Sequence, residues 1–178
     1  VSKLAGESYC AAFHKEHGLK STIVRLFNIY GPGQTEKFVM PLFISRVMQK
    51  SPPIIYGNGS QCRSYTFITD AVDGILRAGA YDEAVGEIFN IGNDEEICIN
   101  ELAEYIINIS GNNLKPIYKP FGNGIRVENR EVLRRQPDVS KARDLLGFAA
   151  QVPWQEGVRQ FREWYLEKYN IEPIMASD

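Results

Sequence analysis

The polar residues best suited to chemistry gather where the regular pattern of the chain breaks. Asn28 follows Arg25-Leu26-Phe27 and precedes Ile29-Tyr30-Gly31-Pro32-Gly33. A carboxamide both donates and accepts, so Asn28 can hold a polar ligand or can cap its own turn. Arg63 follows the turn-forming Gly57-Asn58-Gly59-Ser60, and Arg126, Arg130, Arg134 and Arg135 fall in the stretch before Pro137. A guanidinium fork matches phosphate oxygens in bidentate fashion, although each of these also reads as an ordinary solvated arginine. His14 and His17 share a helical face but have no third ligand near in sequence, so they read as surface histidines. Cys10, Cys62 and Cys98 are odd in number and far apart, with no Cys-x-x-Cys pair, so neither a zinc site nor a disulfide framework is expected. Asp70 reads as a helix N-cap and Asp73 as a solvated carboxylate, not as a catalytic pair.

The elements that must position these groups follow from periodicity. Helix-forming residues run from Ser2 to His17 and stop at Gly18. The β-branched run Ser21 to Val24 leads into Asn28, and Gly-Pro-Gly predicts that the chain turns there. In an open parallel sheet, ligands bind outside the carboxyl ends of strands, which is where such a loop delivers Asn28. An amphipathic helix is expected over residues 39–48, then a strand over Ile54-Ile55-Tyr56, a turn, and a second strand from Cys62 to Ile68. A helix after Asp70 packs Ala71, Val72, Ile75, Leu76 and Ala78. A strand spans residues 87–92, a helix residues 99–110, and Pro116 to Lys119 read as a short last strand. Pro120 to Pro137 show no period and carry Arg126, Arg130, Arg134 and Arg135, as expected of a functional or mobile loop. Helices follow Asp138 and Pro153, the second with a core stripe of Trp154, Val158, Phe161 and Tyr165.

With 178 residues, 44% hydrophobic and 24% charged, the chain has an ordinary globular composition. A formal net charge of -2 without any basic run argues against nucleic acid as a partner. The sequence has no apolar stretch of about 20 residues to span a bilayer and no charged-then-apolar leader pattern, so a cytoplasmic location without a membrane partner is expected. No Gly-x-Gly-x-x-Gly follows a strand, and the chain opens at Val1 within a helical pattern. It therefore reads as a piece of a longer protein whose dinucleotide-binding half is absent.

Five stretches, in order, are similar to the extended short-chain dehydrogenase/reductase family of nucleotide-sugar epimerases, dehydratases and decarboxylases. They are Ser2-Lys3-x-x-x-Glu7, Arg25-x-x-Asn28-x-Tyr30-Gly31-Pro32-Gly33, Tyr56-Gly57-Asn58-Gly59 with Arg63, Asn90-Ile91-Gly92, and Asp138-x-Ser140-Lys141-Ala142 with Leu146-Gly147. The resemblance implies an α/β fold: the edge of a doubly wound, Rossmann-like parallel sheet over residues 1–38, a smaller mixed α/β substrate portion over 39–170, and a tail over 171–178. It implies NAD as cofactor, a nucleoside-diphosphate sugar as substrate, and a homodimer for the full-length parent. Lys3 would be the lysine of Tyr-x-x-x-Lys, with the tyrosine two residues before Val1. There it would help stabilise the catalytic phenolate and bond the nicotinamide ribose, and Phe27 would also lie on the cofactor. Asn28, Tyr56 and Arg63 would bind substrate, as would Arg135 and, next, Arg134 at the diphosphate. Ser64 departs from the aspartate that commonly follows the family arginine. The activity implied is that of a UDP-glucose 4-epimerase-like enzyme, with the fragment inactive alone. The alternatives are a 4,6-dehydratase, a glucuronate decarboxylase, or a non-catalytic binding or assembly module.

Overall fold

A computed structural model describes residues 1–111, 113–121 and 132–172. The first helix, α1 (Ser2–His17), ends where Gly18 takes φ +67° and donates its N–H to the His14 carbonyl, a left-handed cap that glycine adopts without steric cost. The chain then forms β1 (Ile23–Leu26), which pairs in parallel with β6 (Ile88–Ile91). Two helices, α3 (Ile68–Ala80) and α5 (Ser140–Leu146), pack on this pair. Their shared core holds Ala78, Phe89, Ile91, Ala142, Leu146 and Phe148. Parallel pairing requires a crossover, and α3 lies within the one between β1 and β6.

A second core sits where α2 (Val39–Met48), α4 (Ile99–Ile109) and α6 (Trp154–Tyr169) meet. Met40, Phe43, Ile44, Val47, Leu102, Ile106, Val158 and Phe161 fill it. Short strands lean on this bundle. Strand β2 (Ile29–Tyr30) pairs in parallel with β5 (Thr66–Phe67), and β3 (Ile54–Tyr56) with β8 (Ile117–Lys119). Strand β4 (Cys62–Ser64) lies between antiparallel β7 (Glu96–Cys98) and parallel β9 (Arg134–Arg135). The expected α/β class with parallel strands is the one found.

Several local expectations are corrected. The chain bends at Asn28 yet continues at once as β2, and the expected turn comes only after it, from Gly31, which sits at φ +146°. The strand expected from Cys62 to Ile68 is split into β4 and β5, and Ile68 already begins α3. Strand β9 forms inside the stretch read as aperiodic. Asp70 is not the cap of α3, which begins two residues earlier; its buried Oδ2 instead accepts the Val152 N–H, 3.0 Å away, tying α3 to the approach of α6. Asp73 pairs with Arg77 one turn on. Cys62 and Cys98 are joined as a disulfide, against expectation, because β4 and β7 place them opposite one another. Arg126, Arg130 and residues 173–178 lie outside the described residues.

The stripe on α3 is the expected one only at Ala71 and Ala78. Ala71, Gly74 and Ala78 face the core, while Val72, Ile75 and Leu76 are exposed, as are Leu4, Tyr9 and Phe13 on α1. Uncovered apolar helix faces favour association. We expect light scattering to show concentration-dependent self-association that Leu76→Asp reduces; a monodisperse monomer at high concentration contradicts this.

Gly157 lies where α6 packs on the β2–β5 pair. A Cβ there would stand 2.1 Å from Tyr30 Oη and 2.9 Å from Phe67 Cδ2, both buried. Alanine normally stabilises a helix interior by about 1 kcal/mol, but overpacking costs about 1–3 kcal/mol. Gly157→Ala should therefore destabilise the protein in urea unfolding. Gly79→Ala, with open space around it, should be neutral or stabilising.

Candidate functional site

The site begins at the junction of β1 and β2. Asn28 takes φ +38°, a left-handed conformation that asparagine tolerates better than most side chains. The kink lets the chain leave β6 and join β5. Its carbonyl accepts the Thr66 N–H at 3.2 Å, and its Nδ2 donates to the Ser64 carbonyl at 2.9 Å. A carbonyl only accepts, so this bond fixes the amide's orientation; no donor among the described residues takes Oδ1. Thr66 completes the junction. Its fully buried hydroxyl donates to the Phe27 carbonyl at 2.9 Å and accepts the Asn93 N–H at 3.0 Å.

Beside this junction lies an open cavity of about 510 Å³. Asn28, Tyr56 and Arg63, three candidates from distant parts of the sequence, all line it. Gln34, Lys37, Gln61 and Phe121 line it too. Gln34 to Lys37 form a polar run directly after Gly-Pro-Gly, a signal that could have flagged them, whereas Phe121 stands in a stretch without any period. Gly57, at φ +75°, leaves room for the Phe121 ring, whose nearest carbon would lie 2.3 Å from an added Cβ. Tyr56 and Phe121 thus bring two aromatic rings to the wall, able to hold a planar ring system.

Charge in the cavity is one-sided. Lys37 and Arg63 line it, and among the described residues no carboxylate does. Glu36, next to Lys37, bonds instead to the Tyr165 hydroxyl at 3.2 Å. The Arg63 guanidinium is steered by two carbonyls, its Nη1 donating to Cys62 O at 2.7 Å and Leu133 O at 3.3 Å. Arg135 lies beside Arg63 in the β4–β9 register but is exposed and outside the cavity wall. Arg134 is committed elsewhere: its Nε donates to Glu96 Oε2 at 2.9 Å in an ion pair. Ser64 is fully buried and meets Asn28 through its carbonyl. Tyr30 offers no base to the cavity, because burial, reinforced by Asp70, pushes its hydroxyl far above the ordinary tyrosine range while Oη donates to Trp154 O.

Lys3 and Phe27 lie apart from this wall. Lys3 is exposed on α1, a helix with no buried residue. What ties α1 to β1 is a two-point pair: Arg25 Nε donates to Glu7 Oε1 at 2.8 Å and Nη2 to Oε2 at 2.5 Å. The Arg25 hydrogen bond holds the Glu7 carboxyl below its usual range. Phe27 is half-buried at the end of β1, its N–H bonded to Ile91 O. Among the described residues no group of three metal-ligating side chains occurs, and no helix is long and apolar enough to cross a membrane.

Residues 1–92 match the NAD dependent epimerase/dehydratase family. A UDP-N-acetyl-alpha-D-glucosaminuronate decarboxylase of Bacillus cytotoxicus is 34% identical over 96% of this chain and 53% of its own length. In structure, the chain is similar to an epimerase from Methanothermobacter thermautotrophicus, with TM-score 0.87 and 32% identity over 96% of this chain and 50% of that one. It is also similar to a UDP-glucose 4-epimerase from Thermotoga maritima solved with UDP-glucose, with TM-score 0.85 and 30% identity over 94% and 52%. The chain spans about half the length of these relatives. It belongs to the NAD dependent epimerase/dehydratase family.

Removing the Thr66 hydroxyl should expose how much the junction depends on it. Thr66→Val leaves the Phe27 carbonyl and Asn93 N–H without their partner, costing about 2–4 kcal/mol in total. Thr66→Ser keeps the hydroxyl and should lose clearly less in urea unfolding. Equal losses would mean that the methyl group, not the hydroxyl, matters.

Proposed function

We propose that the cavity binds the nucleoside diphosphate of a nucleotide sugar, and that the whole enzyme is an NAD-dependent, UDP-glucose 4-epimerase-like protein. One observation carries the reading. Six aromatic residues, Tyr56 and Phe121 among them, and two cations, with no carboxylate among the described residues, line one cavity beside the Asn28 junction. The rings suit a base, and the cations suit a diphosphate. In this reading Asn28 and Tyr56 contact the substrate directly, Arg63 holds the diphosphate, and Arg135 adds positive potential from the neighbouring strand. Arg134 serves mainly to anchor β9 through Glu96. The likeness to the Thermotoga maritima enzyme supports epimerisation at the sugar 4-position. The Bacillus cytotoxicus relative supports a second reading, decarboxylation of a nucleotide-linked uronate.

The residues present fit only part of an NAD site. Lys3 is an exposed ammonium on a helix pinned beside β1 by the Glu7–Arg25 pair, and Phe27 closes the carboxyl end of that strand. These would hold the nicotinamide end, while the 178 residues contain no glycine-rich loop for the pyrophosphate. When bound, NAD accepts and returns the hydride. This chain's contribution is to hold and orient the nucleotide sugar, in an enzyme we take to be a homodimer.

The test is calorimetric titration with UDP. We expect weak, salt-sensitive binding by the wild-type chain and no saturable NAD binding. A charge-assisted hydrogen bond is worth about 1.5–3 kcal/mol, so Arg63→Ala should weaken UDP binding roughly tenfold to a hundredfold. Arg63→Lys should recover only part, since lysine keeps the charge but loses the fork. Lys20→Ala removes a positive charge outside this cavity and should change little. Equal effects of Arg63→Ala and Lys20→Ala would overturn the assignment.

A further inference from the structure

Cys62 and Cys98 stand directly opposite each other on β4 and β7 and are joined by a disulfide. The backbone explains the meeting. Ile99 N–H donates to Gln61 O, which makes residues 61 and 99 a hydrogen-bonded pair. Residues 62 and 98 are then the adjacent non-hydrogen-bonded pair, the position at which opposed side chains come closest. The ladder holds these side chains together whether or not the sulfurs are bonded, so one fold accommodates both redox states. Ser60 O lies 3.2 Å from Cys62 Sγ and can accept from the reduced thiol. Both cysteines are half-exposed, within reach of small thiols.

Their sequence neighbours are walls of the cavity: Gln61 and Arg63 flank Cys62, and Ile99 follows Cys98. Side chains alternate along β4, so Cys62 faces away from Gln61 and Arg63. The cross-link braces the wall from behind and leaves the cavity open.

We propose that Cys62 and Cys98 form a reversible thiol–disulfide site whose closure stiffens the Arg63 wall and tightens the hold on a nucleoside diphosphate. The effect on affinity rests on the function proposed above; the redox site itself does not. Closure proceeds by exchange with a small-molecule disulfide. One cysteine thiolate attacks a sulfur of that disulfide, forming a mixed disulfide and releasing one thiolate. The second cysteine thiolate then attacks the protein-bound sulfur, forming the Cys62–Cys98 bond and releasing the other. The protein pair loses two electrons and two protons, and the small disulfide is reduced to two thiols.

The experiment uses the 178-residue chain equilibrated in glutathione disulfide or in dithiothreitol. Thiols are counted after quenching and unfolding, and UDP is titrated into each form. Three cysteines are present and Cys10 is free, so one thiol is expected in the oxidised form and three in the reduced form. A pre-organised wall should lower the UDP Kd about fivefold on oxidation. The Cys62→Ser, Cys98→Ser double variant should keep the reduced-state Kd in both buffers. Three thiols in both buffers, or one Kd for both redox forms, overturns the proposal. If UDP binds neither form while the count still falls from three to one, the nucleotide reading fails and the redox site stands.

Discussion

The constraint on which the structure depends is a buried hydroxyl where three segments cross. Thr66 Oγ1 joins the end of β1 through Phe27 O to the turn after β6 through Asn93 N, while Thr66 N–H bonds Asn28 O. At this point the chain passes from one core to the other. Upstream, β1 belongs to the layer of Phe89, Ile91 and Leu146; downstream, Tyr30 belongs to the three-helix core. A hydroxyl both donates and accepts, so one side chain can serve a carbonyl and an N–H together; no apolar residue of the same size can. With the junction held, Asn28 is fixed against β4 and the cavity wall follows.

The stretches shared with the family turn out to be joints between elements. Glu7 and Arg25 pin α1 to β1. Asn90 Nδ2 donates to Asp138 O, and Asp138 Oδ1 in turn accepts the Ser140 N–H at the start of α5, a bond that holds its carboxyl below the usual range. Gly92 lets the end of β6 close in on the junction, since a Cβ there would lie 3.0 Å from Phe27 Cβ and 3.1 Å from Pro137 Cγ.

Much of the fold was legible because it is local. The Gly18 stop of α1, the α2, α4 and α6 stripes and the β1 and β6 runs all follow from side-chain periodicity and caps. What escaped depends on pairing between distant segments. Strand β7 has three residues behind an Asn-Asp turn, and β9 has two; neither is long enough to show alternation. The Cys62–Cys98 pairing follows from the antiparallel register of β4 and β7, for which spacing in sequence gives no sign. Of the residues lining the cavity, Asn28, Tyr56 and Arg63 were singled out by chemistry and resemblance. Lys37 and Phe121 join them only because the segment before α2 and the segment after β8 reach the same cavity, a tertiary event.

The most direct measurement is hydrogen exchange along the backbone with and without UDP-glucose. Binding protects the amides that it orders. The account predicts slowed exchange in residues 54–66, which carry Tyr56, Gln61 and Arg63, and in the segment after Asn28, with little change in α3 or β6. Unchanged exchange over residues 54–66, or protection confined to α3, would contradict it.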